Sequence, residues 1–214
     1  MKEESLDYLS KDLLSILEIL DIFQTNLFLD HYLEMTEALT ISSIAKTKFL
    51  KYYLKDSKIP LINSNKLYNF IYAGYYGGIT EVYKPYGINL KYYDVNSLYP
   101  YNALKPMPGS ECYFIESFTG QALDLDILFG IFKAEVITNN LYLGLLPIKI
   151  KLGLILPNGS YEGTWTSVEL QYAKKQGYNI KVLKGYQFNK VENVFYNYVN
   201  ELSLQKDKLK GSQR

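Results

Sequence analysis

Tyr92-Tyr93-Asp94-Val95-Asn96-Ser97-Leu98-Tyr99-Pro100 is the stretch on which the reading of this chain turns. Leu90, Tyr92 and Tyr93 suit a strand, while Asn96, Ser97 and Pro100 suit a turn, so the pattern predicts a strand over Leu90–Asp94 with Asp94 at its end. A carboxylate there can hold a divalent cation through one side-chain oxygen and a neighbouring carbonyl, leaving the cation's other positions open to phosphate oxygens. Such a site suits phosphoryl or nucleotidyl transfer. Tyr99 leaves the same turn as a flat, rigid side chain that can pack under a sugar and leave no room for a 2′-hydroxyl. The plainer alternative makes Asp94 a turn former and Tyr99 a core residue.

Composition bounds the rest. With 214 residues, 48% hydrophobic and 15% aromatic, the chain can bury a sizeable core in one large domain or two small ones, which excludes a disordered chain. Its 23 basic and 22 acidic residues leave a net charge of +1, so any contact with nucleic acid must come from local patches. Cys112 is the single cysteine and His31 the single histidine, which excludes an internal disulfide framework and a Cys/His zinc site and fits a reducing compartment. No apolar run approaches the roughly 20 residues that span a bilayer, so no membrane partner is expected. The first residues, Met1 to Leu9, are acidic where a transit peptide would be Arg-rich. The 22 tyrosines are an excess that composition does not explain.

Along the chain, Leu6, Leu9, Leu13, Leu17 and Leu20 recur at helical spacing, predicting an amphipathic helix from Ser5 to about Phe23, with Tyr8 and Asp12 together on another face. Thr40 or Ser42 caps a second helix reaching Leu54, with Lys46, Lys48 and Lys51 on its polar face. Asn63 or Ser64 caps a short helix reaching Tyr72, after which Gly74, Gly77 and Gly78 permit close backbone approach to phosphate. A short helical turn after Pro100 is stopped by Pro106 and Pro108. Residues 111–190 read as an α+β segment, with strands at Cys112–Ile115 and Ile131–Ile137, turns at Pro157-Asn158-Gly159 and Glu162-Gly163, and a helix near Ser167–Gln176. Asp124 and Asp126 read as a loop pair, and the basic residues after Leu204 as a solvated tail or a DNA contact.

Asp94 to Pro100, DVNSLYP, resembles motif A of the family B DNA polymerases, whose pattern is Asp, two variable residues, then Ser-Leu-Tyr-Pro. About sixteen residues upstream, Tyr75-Tyr76-Gly77-Gly78 resembles the YxGG motif of the protein-primed branch, and Tyr8 with Asp12 matches the YxxxD pattern of the third exonuclease motif. Glu162 to Leu170, Gly177-Tyr178 and Gly185 to Phe188 are similar to the terminal-protein region that follows motif A. The wording resembles most the polymerases of mitochondrial linear plasmids.

The resemblance implies an α+β fold. Residues 1–35 would be the last helical part of a 3′-5′ exonuclease domain, 36–106 linker helices and palm, 107–190 the terminal-protein-region-like insertion, and 191–214 the start of the helix leading to the fingers. It also implies a DNA-directed DNA polymerase that works on template, primer or terminal protein, and deoxynucleoside triphosphates. In its terms Asp94 and the Val95 carbonyl hold Mg2+, Ser97 and Leu98 position the primer or terminal protein, and Tyr99 stacks under the deoxyribose. Tyr75, Gly77 and Gly78 contact template DNA, and Tyr8 and Asp12 belong to the exonuclease. Motifs B and C, KxxxNSxYG and DTD, have no match here, so the chain is expected to be an inactive internal fragment unless a second polypeptide completes the site. A mitochondrial location would follow from synthesis in the organelle. The alternatives are a non-catalytic module binding DNA or terminal protein, and an inert relic of a decayed gene.

Overall fold

The computed structural model describes residues 2–54, 59–80, 82–117, 123–139, 143–151 and 153–211. The chain divides into two compact units, one of residues 1–58 with 195–214 and one of residues 59–194. Packing thus joins the N-terminal helices to the C-terminal one, which a division by motifs alone does not anticipate.

The first unit is helical. Helix α1, Lys2–His31, runs past the expected end near Phe23 because no glycine or proline interrupts it. Its Leu6, Leu9, Leu13 and Leu17 stripe is exposed, and only its last turns are packed, where Leu27 meets Leu33 and Ile44 with Phe23, Met35 and Tyr52 around them. Helix α2, Ile41–Tyr52, is capped by Thr40, whose hydroxyl accepts from the Ser43 amide. Lys48 corrects the expected polar face. It is buried, with Nζ 3.3 Å from His31 Nε2, and burial lowers its pKa against the opposing pull of Glu201 and Asp30. His31, the last residue of α1, is half-buried. Its carbonyl accepts from the Tyr52 hydroxyl at 2.6 Å.

The second unit opens with helix α3, Asn65–Ala73, capped by the Ser64 hydroxyl, and helix α4, Leu98–Ala103. It continues through β1, Met107–Glu116; β2, Gly130–Ile137; β3, Ile148–Ile150; β4, Gly153–Ile155; and β5, Ser160–Thr166. Helix α5, Ser167–Lys175, and β6, Asn179–Val191, complete it. The four long strands form an antiparallel sheet in the order β1-β6-β2-β5, while β3 and β4 form a separate two-stranded ribbon. Alternation along β2 buries Phe132, Ala134 and Val136 on one face, against Trp165 of β5, Val182 of β6, and Leu170 and Ala173 of α5. A capping box starts α5, with Thr166 accepting from the Glu169 amide and the Glu169 carboxylate accepting from the Thr166 amide. On the opposite face Ile131 and Tyr186 are paired in register. There α3 rests its Phe70 ring edge-on against Tyr186 at 5.2 Å, and Gly74 lies so close to Ile131 that a methyl group at Gly74 would come within 2.8 Å of Cγ2.

Helix α6, Tyr196–Gly211, belongs to the first unit, where Phe195 and Tyr198 pack on Phe49 with ring centroids 4.9 and 5.5 Å away. Arg214 lies outside the described residues.

Two further expectations need correction. Leu90–Asp94 is not a strand: the run is irregular and exposed and, among the described residues, pairs with no sheet edge. Glu162-Gly163 is not a turn but the middle of β5, where Gly163 faces Ala134 and a Cβ would strike the Trp165 indole. β6, the longest strand, lies outside the strands expected in this segment, Cys112–Ile115 and Ile131–Ile137.

Candidate functional site

The segment that carries Asp94 has little packing of its own. Every described residue from 82 to 102 is exposed, with Tyr92 at 94% and Tyr99 at 84%. The chain runs irregularly to Asp94 and turns at Asn96 and Ser97. Ser97 takes left-handed backbone angles, φ 55° and ψ 37°, and its hydroxyl makes no capping bond. A β-carbon makes that conformation costly by roughly 1–2 kcal/mol, and such strain concentrates where a turn must aim neighbouring groups. Immediately after it α4 begins, and the Tyr101 amide donates to the Ser97 carbonyl at 2.9 Å. Pro100 falls in the first turn of α4, where amides have no intrahelical acceptor, so its missing N–H costs nothing. The Asn102 amide donates to the Leu98 carbonyl at 2.9 Å and ties the short helix together.

Asp94 makes no hydrogen bond or ion pair among the described residues, so its carboxylate is free for a ligand. Carboxylate and carbonyl oxygens are the hard donors that Mg2+ takes, and Asp94 with Val95 offers one of each. They fit the cation and leave most of its coordination open. Among the described residues no three His, Cys, Asp or Glu side chains converge. Asp124 and Asp126 do not join Asp94: Asp124 accepts from the Asp126 amide in a local turn, and Asp126 pairs with Lys174 at 2.8 Å. Cys112 is half-buried, and burial pushes its thiol pKa up, away from nucleophilic use.

Tyr75-Tyr76-Gly77-Gly78 follows α3 directly. Tyr75 is exposed, whereas Tyr76 is half-buried and donates its hydroxyl to the Thr164 carbonyl of edge strand β5 at 2.9 Å. Burial raises the Tyr76 pKa to about 12, with Glu169 adding to it. Gly77 and Gly78 have open space where a Cβ would stand. Their glycine character therefore answers to no neighbour within the described chain. Of the four residues, Tyr76 is the anchor, and Tyr75, Gly77 and Gly78 are exposed. Tyr8 and Asp12 are both exposed on α1, one turn apart, with the neighbouring Asp7 paired to Lys11 at 2.7 Å.

A family model for DNA polymerase type B, organellar and viral, matches residues 1–214. A probable DNA polymerase of Podospora anserina is 49% identical over 214 residues, covering 100% of this chain and 18% of the relative. Another of Neurospora intermedia is 34% identical over 216 residues, covering 94% and 22% respectively. The chain thus spans about a fifth of the length of the curated relatives it matches. Among solved structures, the orthorhombic crystal form of phi29 DNA polymerase matches with a TM-score of 0.58 and 19% identity, over 80% of this chain and 33% of that one. The phi29 ternary complex with primer-template DNA and incoming nucleotides matches with a TM-score of 0.56 and 20% identity, over 77% and 32%. At that identity the likeness is one of fold.

Proposed function

The chain belongs to the organellar and viral type B DNA polymerases, and from that premise we propose that it supplies the motif A portion of a protein-primed, DNA-directed DNA polymerase. The observation that carries the reading is the free, exposed Asp94 at the head of a left-handed turn into α4. In the working enzyme Asp94 and the Val95 carbonyl hold Mg2+, which supplies charge neutralisation to the triphosphate. Ser97 and Leu98, at the start of α4, position the primer terminus or terminal protein. Tyr99 lies under the sugar of the incoming nucleotide and excludes a 2′-hydroxyl. Tyr75 and the open Gly77 and Gly78 contact template DNA. Tyr8 and Asp12 serve a 3′-5′ exonuclease whose other carboxylates this chain does not provide.

Two-metal transfer needs more carboxylates and a cationic pocket for the triphosphate, so the chain by itself is inactive and the site is completed by further sequence or a second polypeptide. Residues 1–35 then act as the exonuclease end, 36–106 as palm, 107–190 as terminal-protein-region-like insertion and 191–214 as the approach to the fingers. The likeness to plasmid polymerases favours action in the mitochondrion. A second reading, a module that binds DNA or terminal protein without catalysis, is favoured by the sheet of residues 107–191, whose core closes without help from the motif A segment.

Primer extension on DNA templates tests the first reading, using this chain and a chimera in which it replaces the matching region of the Podospora anserina relative. The chimera should extend with magnesium, Asp94→Asn should abolish extension, and Tyr99→Val should admit ribonucleotides. Extension by the chain alone that survives Asp94→Asn would contradict it.

A further inference from the structure

Helix α3 carries on its outer side a ladder of rings that the sheet does not use. Tyr68 and Tyr72, one turn apart, stack with centroids 5.9 Å apart and planes inclined 12°, and Tyr75 continues the stack at 6.3 Å and 25°. The three are 52%, 56% and 66% exposed, while Leu67, Phe70 and Ile71 take the inner, half-buried side. Core packing therefore accounts for the inner residues and not for the tyrosines. Lys149 of β3 stands at the ladder's flank. Its Nζ donates to the Tyr72 carbonyl at 2.9 Å and lies 4.8 Å from the Tyr72 ring and 5.2 Å from the Tyr76 ring. No carboxylate pairs with it among the described residues, and two of its three N–H donors remain for another partner. The surrounding segment, 59–105, holds ten of the 22 tyrosines and four lysines against Glu81 and Asp94, so its charge favours an anion.

We propose that Tyr68, Tyr72 and Tyr75 form a stacking platform for the unpaired bases of single-stranded DNA, with Lys149 taking a backbone phosphate. Every base has a π-face, so a row of near-parallel rings binds an unpaired strand whatever its sequence, and a paired strand hides those faces. Single-strand sites span about 4–16 nucleotides, and three rings with one cation fit the lower part of that range. The choice of DNA over another polyanion rests on the polymerase reading above. Tyr75 already belongs to that reading, whereas Tyr68, Tyr72 and Lys149 are added by the ring geometry and the Lys149 contacts.

The test is fluorescence anisotropy of a labelled oligothymidylate of about twelve nucleotides, titrated with the full chain in EDTA so that no metal at Asp94 contributes. Tyr68→Leu and Tyr72→Leu should each weaken binding about tenfold or more, and Tyr72→Phe, which keeps the ring, should not. Lys149→Gln should weaken binding and make the salt dependence shallower by about 0.7 in log–log slope. Tyr172→Leu, an exposed tyrosine on α5, should bind as the unaltered chain does, and an abasic strand of equal length should bind alike to the tyrosine variants and the parent. Unchanged affinity in both leucine variants at unchanged melting temperature would overturn the proposal. So would an abasic or duplex probe binding as tightly as oligothymidylate, or capture of a proline-rich peptide in its place. Since metal is absent, these outcomes leave the Asp94 reading to stand or fall on extension.

Discussion

Tyr92 and Tyr178 are the same residue type, and the chain treats them oppositely: Tyr92 is 94% exposed, whereas Tyr178 is 4% exposed, with its hydroxyl accepting from the Leu145 amide. The contrast extends to their regions. Residues 82–97, rich in the aromatic and apolar types that strands favour, lie open without a ladder, while β2, β5 and β6 pair along their length and close around Phe132 and Trp165. Strand propensity describes a fit to a half-buried pleated surface and does not create that surface. The segment around Asp94 is exposed, and the sheet holds the core.

Mutations can break that contrast. The largest effect should come from Trp165→Ala, which removes a fully buried indole and its 2.8 Å bond to the Pro147 carbonyl, at a cost of about 3–5 kcal/mol in urea unfolding followed by circular dichroism. Tyr92→Ala should stay within about 0.5 kcal/mol. Glycines sharpen the same point. Gly185→Ala drives a methyl group into the Ile131 carbonyl and Phe132, at about 1–3 kcal/mol, while Gly77→Ala and Gly78→Ala should leave the melting temperature unchanged. Thr166→Ala, which removes one half of the capping box of α5, should cost about 1 kcal/mol.

The smallest effect is confined to alkali. Burial raises the Tyr76 and Tyr161 pKa values to about 12 from an ordinary 10, so the folded chain holds their protons where the unfolded chain has released them. Stability from this source is complete below pH 10 and falls as pH rises from 10 towards 12. Unfolding free energies across that window should slope downward, and Tyr76→Phe should flatten part of the slope.

What could be read from the residues follows the same division. The caps of α2 and α3 were legible as pairs of candidates, Thr40 or Ser42 and Asn63 or Ser64, because a cap is decided within one turn of chain, and the structure selects Thr40 and Ser64; Ile131–Ile137 was legible because its alternation matches the two faces of a sheet. The α+β class followed, and the mixed fold matches that of phi29 DNA polymerase. Lys48 was misplaced because burial of a charged stem depends on which helices meet, and no local spacing encodes that. Gly163 resembled a turn because the reason for its lacking a side chain is the Trp165 ring beside it, in a sheet not yet built. Leu90–Asp94 failed for the converse reason, having strand-like residues and no edge to join. The residues Asp94, Ser97 and Tyr99 stood out by pattern and resemblance, while the left-handed angles at Ser97 and the absence of a partner for Asp94 among the described residues needed coordinates.

The claim beneath all of this is that the sheet orders itself and the motif A segment is held open. Hydrogen exchange on the full chain, without DNA or metal, tests it most directly. Amides of β2, β5 and β6 should open only with global unfolding, and those from Lys91 to Val95 should exchange near the rate of an unstructured peptide. Alternating protection across Leu90–Asp94, as strong as that of β2, would mean that the segment is a paired strand and would contradict the account.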